Sequence, residues 1–175
     1  MGTSDAAWVA ACRRFETMTV AEADRLMAVE PILVGPAESL RAVARRVVDR
    51  PQCRIACVVD AGGTLLGLLP IADLAFAAFV HVMPEVFLKH ANDLAHSTQF
   101  AALSHGRTAG EVMRPALALR PGDSLEDAFG RLLGADLEGL PIVDDGGRVT
   151  GYLNLPEFLC AWLNNCAPDG WGDAR

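Results

Sequence analysis

The sequence predicts a mixed α/β (α+β) fold of two pseudo-twofold-related repeats. Each repeat is a small mixed sheet packed with helices, and a helical insert joins them. Three observations lead there. The segment Ile55 to Leu74 (IACVVDAGGTLLGLLPIADL) aligns without a gap on Gly139 to Phe158 (GLPIVDDGGRVTGYLNLPEF). Upstream of each segment stands the same Pro-x-x-Ser-Leu, at Pro36 to Leu40 and Pro121 to Leu125. The chain of 175 residues is 51% hydrophobic and 21% charged, enough apolar matter for one core or two small ones that share it.

The repeats fix the element order. Ala23, Leu26 and Met27 echo Ala109, Val112 and Met113 at the opening of each copy. Ser39 and Ser124 stand where a helix N-cap belongs, ahead of LRAVARRVVDR and LEDAFGRLLG. Leu40, Val43 and Val47, and Leu125, Ala128 and Leu132, then mark apolar helix faces. An apolar strand, Asp-x-Gly-Gly and a second apolar strand read as a β-hairpin, with the glycines supplying the positive φ of a tight turn. Closing helices begin near Ile71 and Leu155. Each repeat thus reads strand, helix, strand, hairpin, strand, helix.

The expected division is an N-terminal helix over 1–18, a first repeat over 19–82, an insert over 83–107, a second repeat over 108–165 and a frayed tail over 166–175. Trp8, Val9 and Cys12 would face inward from the first helix. Phe76, Phe79, Val80 and Met83 fall on one helical face leading into the insert, and Pro84 and Glu85 suit the first turn of a further helix.

Composition also excludes classes of function. A net charge of −7 argues against a protein that grips nucleic-acid phosphates. No apolar run reaches the roughly 18 residues of a membrane span, and no basic-then-apolar start marks a secretory signal. The expected compartment is the cytoplasm. Five cysteines without a C-x-x-C read as reduced, mostly buried thiols. His81, His90, His96 and His105 fall in or beside the insert without metal-ligand spacing, so no metal site is expected. The chain has no G-x-S-x-G, P-loop or Rossmann fingerprint, and no enzymatic activity is expected of it.

The doubled pattern resembles a tandem pair of CBS (cystathionine-β-synthase-type) domains of the stand-alone bacterial kind. The second copy carries it best: Thr108-x-x-x-Val112-Met113-x-Pro115, Pro121-x-x-Ser124-Leu125, Gly139-Leu140-Pro141-Ile142-Val143-Asp144 and Gly146-x-x-x-x-Gly151. The resemblance implies a regulatory module without a covalent cofactor. It would bind AMP, ADP, ATP or S-adenosylmethionine in the cleft between repeats and pass the signal to a partner protein. Homodimerisation is expected as well. The alternative is a degenerate pair that acts as a dimerisation or protein-interaction module without nucleotide.

In such pairs the last strand enters its helix through Gly-apolar-apolar-Ser/Thr-x-x-Asp. The hydroxyl and the helix N-terminus face phosphate, and the acid faces the ribose hydroxyls. Here the first copy reads Gly67-Leu68-Leu69-Pro70-Ile71-Ala72-Asp73 and keeps the acid, but Pro70 has neither hydroxyl nor N–H. The second reads Gly151-Tyr152-Leu153-Asn154-Leu155-Pro156-Glu157, where Asn154 can cap or donate and Glu157 is one methylene longer than Asp. The implied adenine walls are Ile32, Leu33 and Ala56 in the first copy and Ala116, Leu117, Leu140 and Pro141 in the second. Arg114 is the candidate phosphate cation. The strand residues among these would be core in any such fold, and an acid at the position of Asp73 or Glu157 would also suit a helix dipole.

Overall fold

The computed structural model describes residues 13, 15, 17–80, 82, 83, 85 and 105–165. Most of the expected N-terminal helix with Trp8, Val9 and Cys12, most of the insert, His81, His90 and His96, and the tail over 166–175 lie outside the described residues.

Helix α1 is Val20–Met27; Thr19 and Glu22 form a capping box at its start, and Ala28 ends it in the left-handed conformation. Strand β1 (Ile32–Val34) leads to α2 (Leu40–Asp49), where Ser39 accepts from the Ala42 N–H as the cap. Next come β2 (Ile55–Val59), β3 (Leu65–Pro70) and α3 (Ile71–Phe79). The second repeat opens with α4 (Ala109–Val112) and β4 (Arg114–Pro115). It continues through α5 (Leu125–Ala135), capped by Ser124, then β5 (Gly139–Val143), β6 (Val149–Asn154) and α6 (Leu155–Asn165). Both serine caps, both hairpins and both closing helices stand where the sequence puts them.

The repeats agree in burial as well as in order. All residues of β2 and of β5 are buried, and β3 and β6 both pass from half-exposed ends to buried ones. Gly63 and Gly147 take φ of 83° and 76° in the two hairpin turns. In the first turn Asp60 Oδ1 accepts from the N–H groups of Gly62 and Thr64 at 2.8 and 2.9 Å. These bonds favour the charged carboxylate and hold its pKa below the usual range.

The chain forms two compact units that are not contiguous in sequence. One, the Asp73 unit, holds Pro31–Leu117 and the tip of the second hairpin, Asp145–Val149. The other, the Glu157 unit, holds the chain up to Glu30, Ala118–Asp144 and the chain from Thr150. Each unit therefore takes the opening helix of the other repeat. In the Asp73 unit, the N–H groups of Ala109 and Gly110 donate to the carbonyls of Glu38 and Pro36, and Leu40 N–H donates to the Arg107 carbonyl. In the Glu157 unit, Val20 and Ala21 donate to Asp123 and Pro121, and Leu125 donates to Met18. The two sets are equivalent bond for bond. They satisfy first-turn N–H groups that a helix cannot satisfy itself.

The Asp73 unit contains a four-stranded sheet in the order β1-β2-β3-β4. β1 runs parallel to β2, which requires the crossover that α2 provides; β2/β3 and β3/β4 are antiparallel. In the Glu157 unit β5 pairs with β6, and the first strand of that repeat shrinks to a single parallel bridge, Leu119 to Ile142. Both cores are aliphatic: Val43, Ile55, Val58 and Leu69 are buried in the Asp73 unit, and Val20, Leu125, Leu132, Leu140 and Leu153 in the Glu157 unit, where Tyr152 is the largest fully buried side chain among the described residues. Cys53 and Cys57 are buried and in no disulfide, and burial pushes Cys57 up to about 12, far from a reactive thiolate.

Gly67 marks the closest backbone approach in the Asp73 unit. A Cβ there would lie 2.6 Å from the Arg114 carbonyl oxygen and 2.6 Å from Met113 Sδ. The carbonyl belongs to β4 and cannot swing away, so Gly67→Ala should displace that strand and cost about 1–3 kcal/mol. Thermal denaturation against Gly122→Ala, where nothing lies within 4 Å of the added carbon, checks this. Equal melting temperatures for the two variants would refute it.

Candidate ligand-binding site

In the Asp73 unit the short β4 decides what the acid meets. The register pairs Leu68 with Arg114 and Gly67 with Pro115, which carries the Arg114 side chain to the first turn of α3. There Arg114 Nε donates to Asp73 Oδ2 at 2.6 Å and Nη2 donates to Oδ1 at 2.7 Å. This is the bidentate fork that a guanidinium makes with a carboxylate. Asp73 is nearly buried while Arg114 keeps a partly exposed side chain, at 7% and 31%. Pro70 occupies the N-cap of α3 and makes no side-chain cap bond.

The wall residues of the first copy lie in the same unit. Ile32 and Ala56 are paired across β1 and β2 and buried; Leu33 is at the edge of exposure. Ala116, exposed, and Leu117, half-buried, come directly after β4. Position in the sequence groups Ala116 and Leu117 with the second copy, but they belong to the unit of Asp73 and Arg114. The cause is the exchange of opening segments, which carries β4 onto β3.

In the Glu157 unit Leu140 and Pro141 are buried on β5. Asn154 and Glu157 close a reciprocal cap on α6. Asn154 N–H donates to Glu157 Oε2 at 2.7 Å, and Glu157 N–H donates to Asn154 Oδ1 at 3.2 Å. Glu157 is fully buried, and its second oxygen, Oε1, has no hydrogen-bond partner. Burial pushes its pKa up to about 7, with Asp24 of α1 adding to the rise; the backbone N–H groups of Asn154 and Val29 work the other way. Burial likewise raises Asp24, against the Tyr152 N–H and Arg25.

Sequence reasoning missed Asp24 and the joining of Asn154 with Glu157. The second had a signal: Asn-x-x-Glu is a variant of the capping-box spacing. Asp24 had none, because only the packing of α1 on α6 brings it there. Among the described residues no group of three or more His, Cys, Asp or Glu is arranged to hold a metal ion, and no helix is long and apolar enough to cross a membrane.

Both units show one design, a strand entering a helix whose first turn carries an acid, with the opening helix of the other repeat laid against it. The CBS domain family model matches residues 20–79 and 109–163, well over half of the chain. The chain belongs to the CBS domain family and carries a tandem pair. No curated protein matches it in sequence. Among solved structures it is similar to a CBS domain-containing protein from Thermotoga maritima, at 22% identity and TM-score 0.70, over 85% of this chain and 96% of that one. It is similar to CBSX2 in complex with AMP, at 24% identity and TM-score 0.61, over 77% and 90%. A third likeness is to a CBS domain pair in complex with 5′-methylthioadenosine and S-adenosyl-L-methionine, at 18% identity and TM-score 0.59, over 82% and 94%. At these identities the likenesses establish the shared fold.

The Asp73–Arg114 fork should couple the two residues energetically. Losing Arg114 alone leaves a nearly buried carboxylate without its cation, which costs more than losing both partners. A double-mutant cycle of Asp73→Asn and Arg114→Met, read by chemical denaturation, should give a coupling of about 1–3 kcal/mol. Additive effects within experimental error would show that the fork contributes nothing to stability.

Proposed function

We propose that the chain is a regulatory module, without catalytic activity of its own, that binds an adenosine-containing ligand in the Asp73 unit. The observation that carries this reading is the pairing of an acid and a cation at the start of α3. A carboxylate accepts from a ribose diol, and a partly exposed guanidinium suits a phosphate. Both are needed by a nucleotide, and they stand together in a chain of net charge −7. Ile32, Ala56 and Leu33 would take the adenine face, with Ala116 and Leu117 as a second wall. Glu157 and Asn154 hold the α6 cap and are assigned no ligand contact.

The similar structures with AMP and with S-adenosyl-L-methionine support the ligand class. The signal would be a population shift: ligand favours one arrangement of the module by no more than its differential affinity for it. The receiver is a partner protein or a second copy, in the cytoplasm.

A second reading is a dimerisation module without nucleotide. The observation in its favour is the exposure of Phe129 and Leu133 on α5 and of Leu159 and Leu163 on α6, at 41%, 66%, 60% and 61%. Such side chains along two neighbouring helices of one unit suit contact with another copy.

A thermal-shift titration with AMP, ADP, ATP and S-adenosylmethionine separates the readings. At 100 times its dissociation constant a ligand stabilises by about 2.7 kcal/mol. The expected result is a clear shift with at least one ligand, abolished in Asp73→Ala. No shift with any of the four, together with a dimer by light scattering, would replace the first reading by the second.

A further inference from the structure

Glu157 is the one fully buried charged-type side chain of the described core, and one of its oxygens makes no hydrogen bond. An isolated buried carboxylate with an orphan oxygen is among the costlier arrangements in a protein interior, and the usual relief is a proton. The neighbouring charge does not help. Asp24 reaches the site from α1, and its two carboxylate oxygens lie 3.2 and 3.0 Å from where a Cβ on Gly151 would be. A larger residue at that position would press on the Asp24 carboxylate and require it to give way by a few tenths of an ångström. Gly151 lies three residues before Asn154, on the strand that feeds the α6 cap.

The groups around the pair can be named element by element. From α1 come Asp24 and, beside it, Arg25, which acts on Asp24. The segment after α1 offers the Val29 N–H, which gives Oε1 no hydrogen bond. β6 offers the Tyr152 N–H to Asp24, and the turn into α6 offers Asn154 to Glu157 Oε2. The charged side chain that acts on Glu157 is thus another acid.

We propose that Glu157 and Asp24 form a coupled acid pair that holds a proton when α1 is docked on α6, so that docking of this opening helix is proton-linked. The proton comes from solvent, and Glu157 Oε1, the oxygen without a partner, is where it sits. With both acids ionised, two negative charges repel one another across a largely buried setting. The pair is relieved by separating α1, which carries Asp24, from α6, which carries Glu157. This is independent of any nucleotide in the Asp73 unit.

Linkage sets the sign. An acid whose folded pKa lies above its unfolded value binds more protons folded than unfolded. Its stabilisation is complete below the ordinary 4.5 and is lost as the pH rises to about 7. The first test is a ¹³C-carboxyl NMR titration of the full chain. Glu157 should titrate near 7, and Asp24→Asn should lower its midpoint. A Glu157 midpoint in the ordinary carboxylate range, or one that Asp24→Asn leaves in place, would overturn the proposal. The second test is the melting temperature of Glu157→Gln from about pH 5 to pH 8. The amide can still accept from Asn154 N–H, cannot ionise, and offers Asp24 a donor. Its melting temperature should lose the decline that the parent shows over this range; parallel declines in both proteins would sink the idea.

Discussion

The structure depends on one reciprocal set of backbone hydrogen bonds. The first turn of each opening helix donates to the carbonyls of the Pro-x-x-Ser loop of the other repeat, and the first residue of the next helix, Leu40 or Leu125, donates back. Unpaired N–H groups at a buried helix start would be costly, and here they are satisfied between segments far apart in sequence. The isolated bridges of Ser39 with Thr108 and of Thr19 with Ser124 are the same junction seen from the side chains that cap it. Neither repeat could form its junction alone, because each lacks the helix that completes it. This explains why the chain carries two copies and why its compact units are not its sequence repeats.

The same exchange decides the chemistry of the two acids. The opening helix of the second repeat leads into β4, which adds an edge strand to β3 and brings Arg114 to Asp73. The opening helix of the first repeat leads instead into the left-handed Ala28 and then Val29, and among the described residues this segment adds no strand to β6. The equivalent acid, Glu157, therefore receives no cation from that segment and meets Asp24 of the helix itself. The glycines record the difference. Gly67 is required by the Arg114 carbonyl and the Met113 side chain, whereas Gly151 lies against the Asp24 carboxylate. Two positions related by the repeat thus meet different neighbours.

Local pattern made much of this legible. Serine ahead of an amphipathic run, and Asp-x-Gly-Gly between apolar strands, are signals whose physics is contained within a few residues, and Ser39, Ser124, Gly63 and Gly147 behave as they imply. Asp73 and Arg114 each stand out in the sequence, yet their pairing does not, because a separation of 41 residues has no periodicity to reveal it. Ala116 and Leu117 fall among the wrong neighbours for the same reason: sequence proximity favours the second repeat, whereas strand pairing carries them to the first. Asp24 is invisible in the sequence because an acid on a short helix looks like solvated surface until the helix is docked.

The two units therefore solve one problem, an acid at the first turn of a packed helix, in opposite ways. A guanidinium pairs with Asp73 in a bidentate fork, and its side chain leaves that pair a polar, partly exposed edge. Among the described residues no such cation serves Glu157, so a carboxylate there can be neutral only by holding a proton. An ionic site is suited to recognising a charged molecule, since its two charges are already oriented before the ligand arrives. A protonated acid adds a hydrogen-bond donor at an oxygen that otherwise has no partner. The departure from repeat symmetry at these two positions thus gives the pair two different acids: one in a bidentate fork with a guanidinium, the other in the reciprocal cap of a helix on which α1 packs.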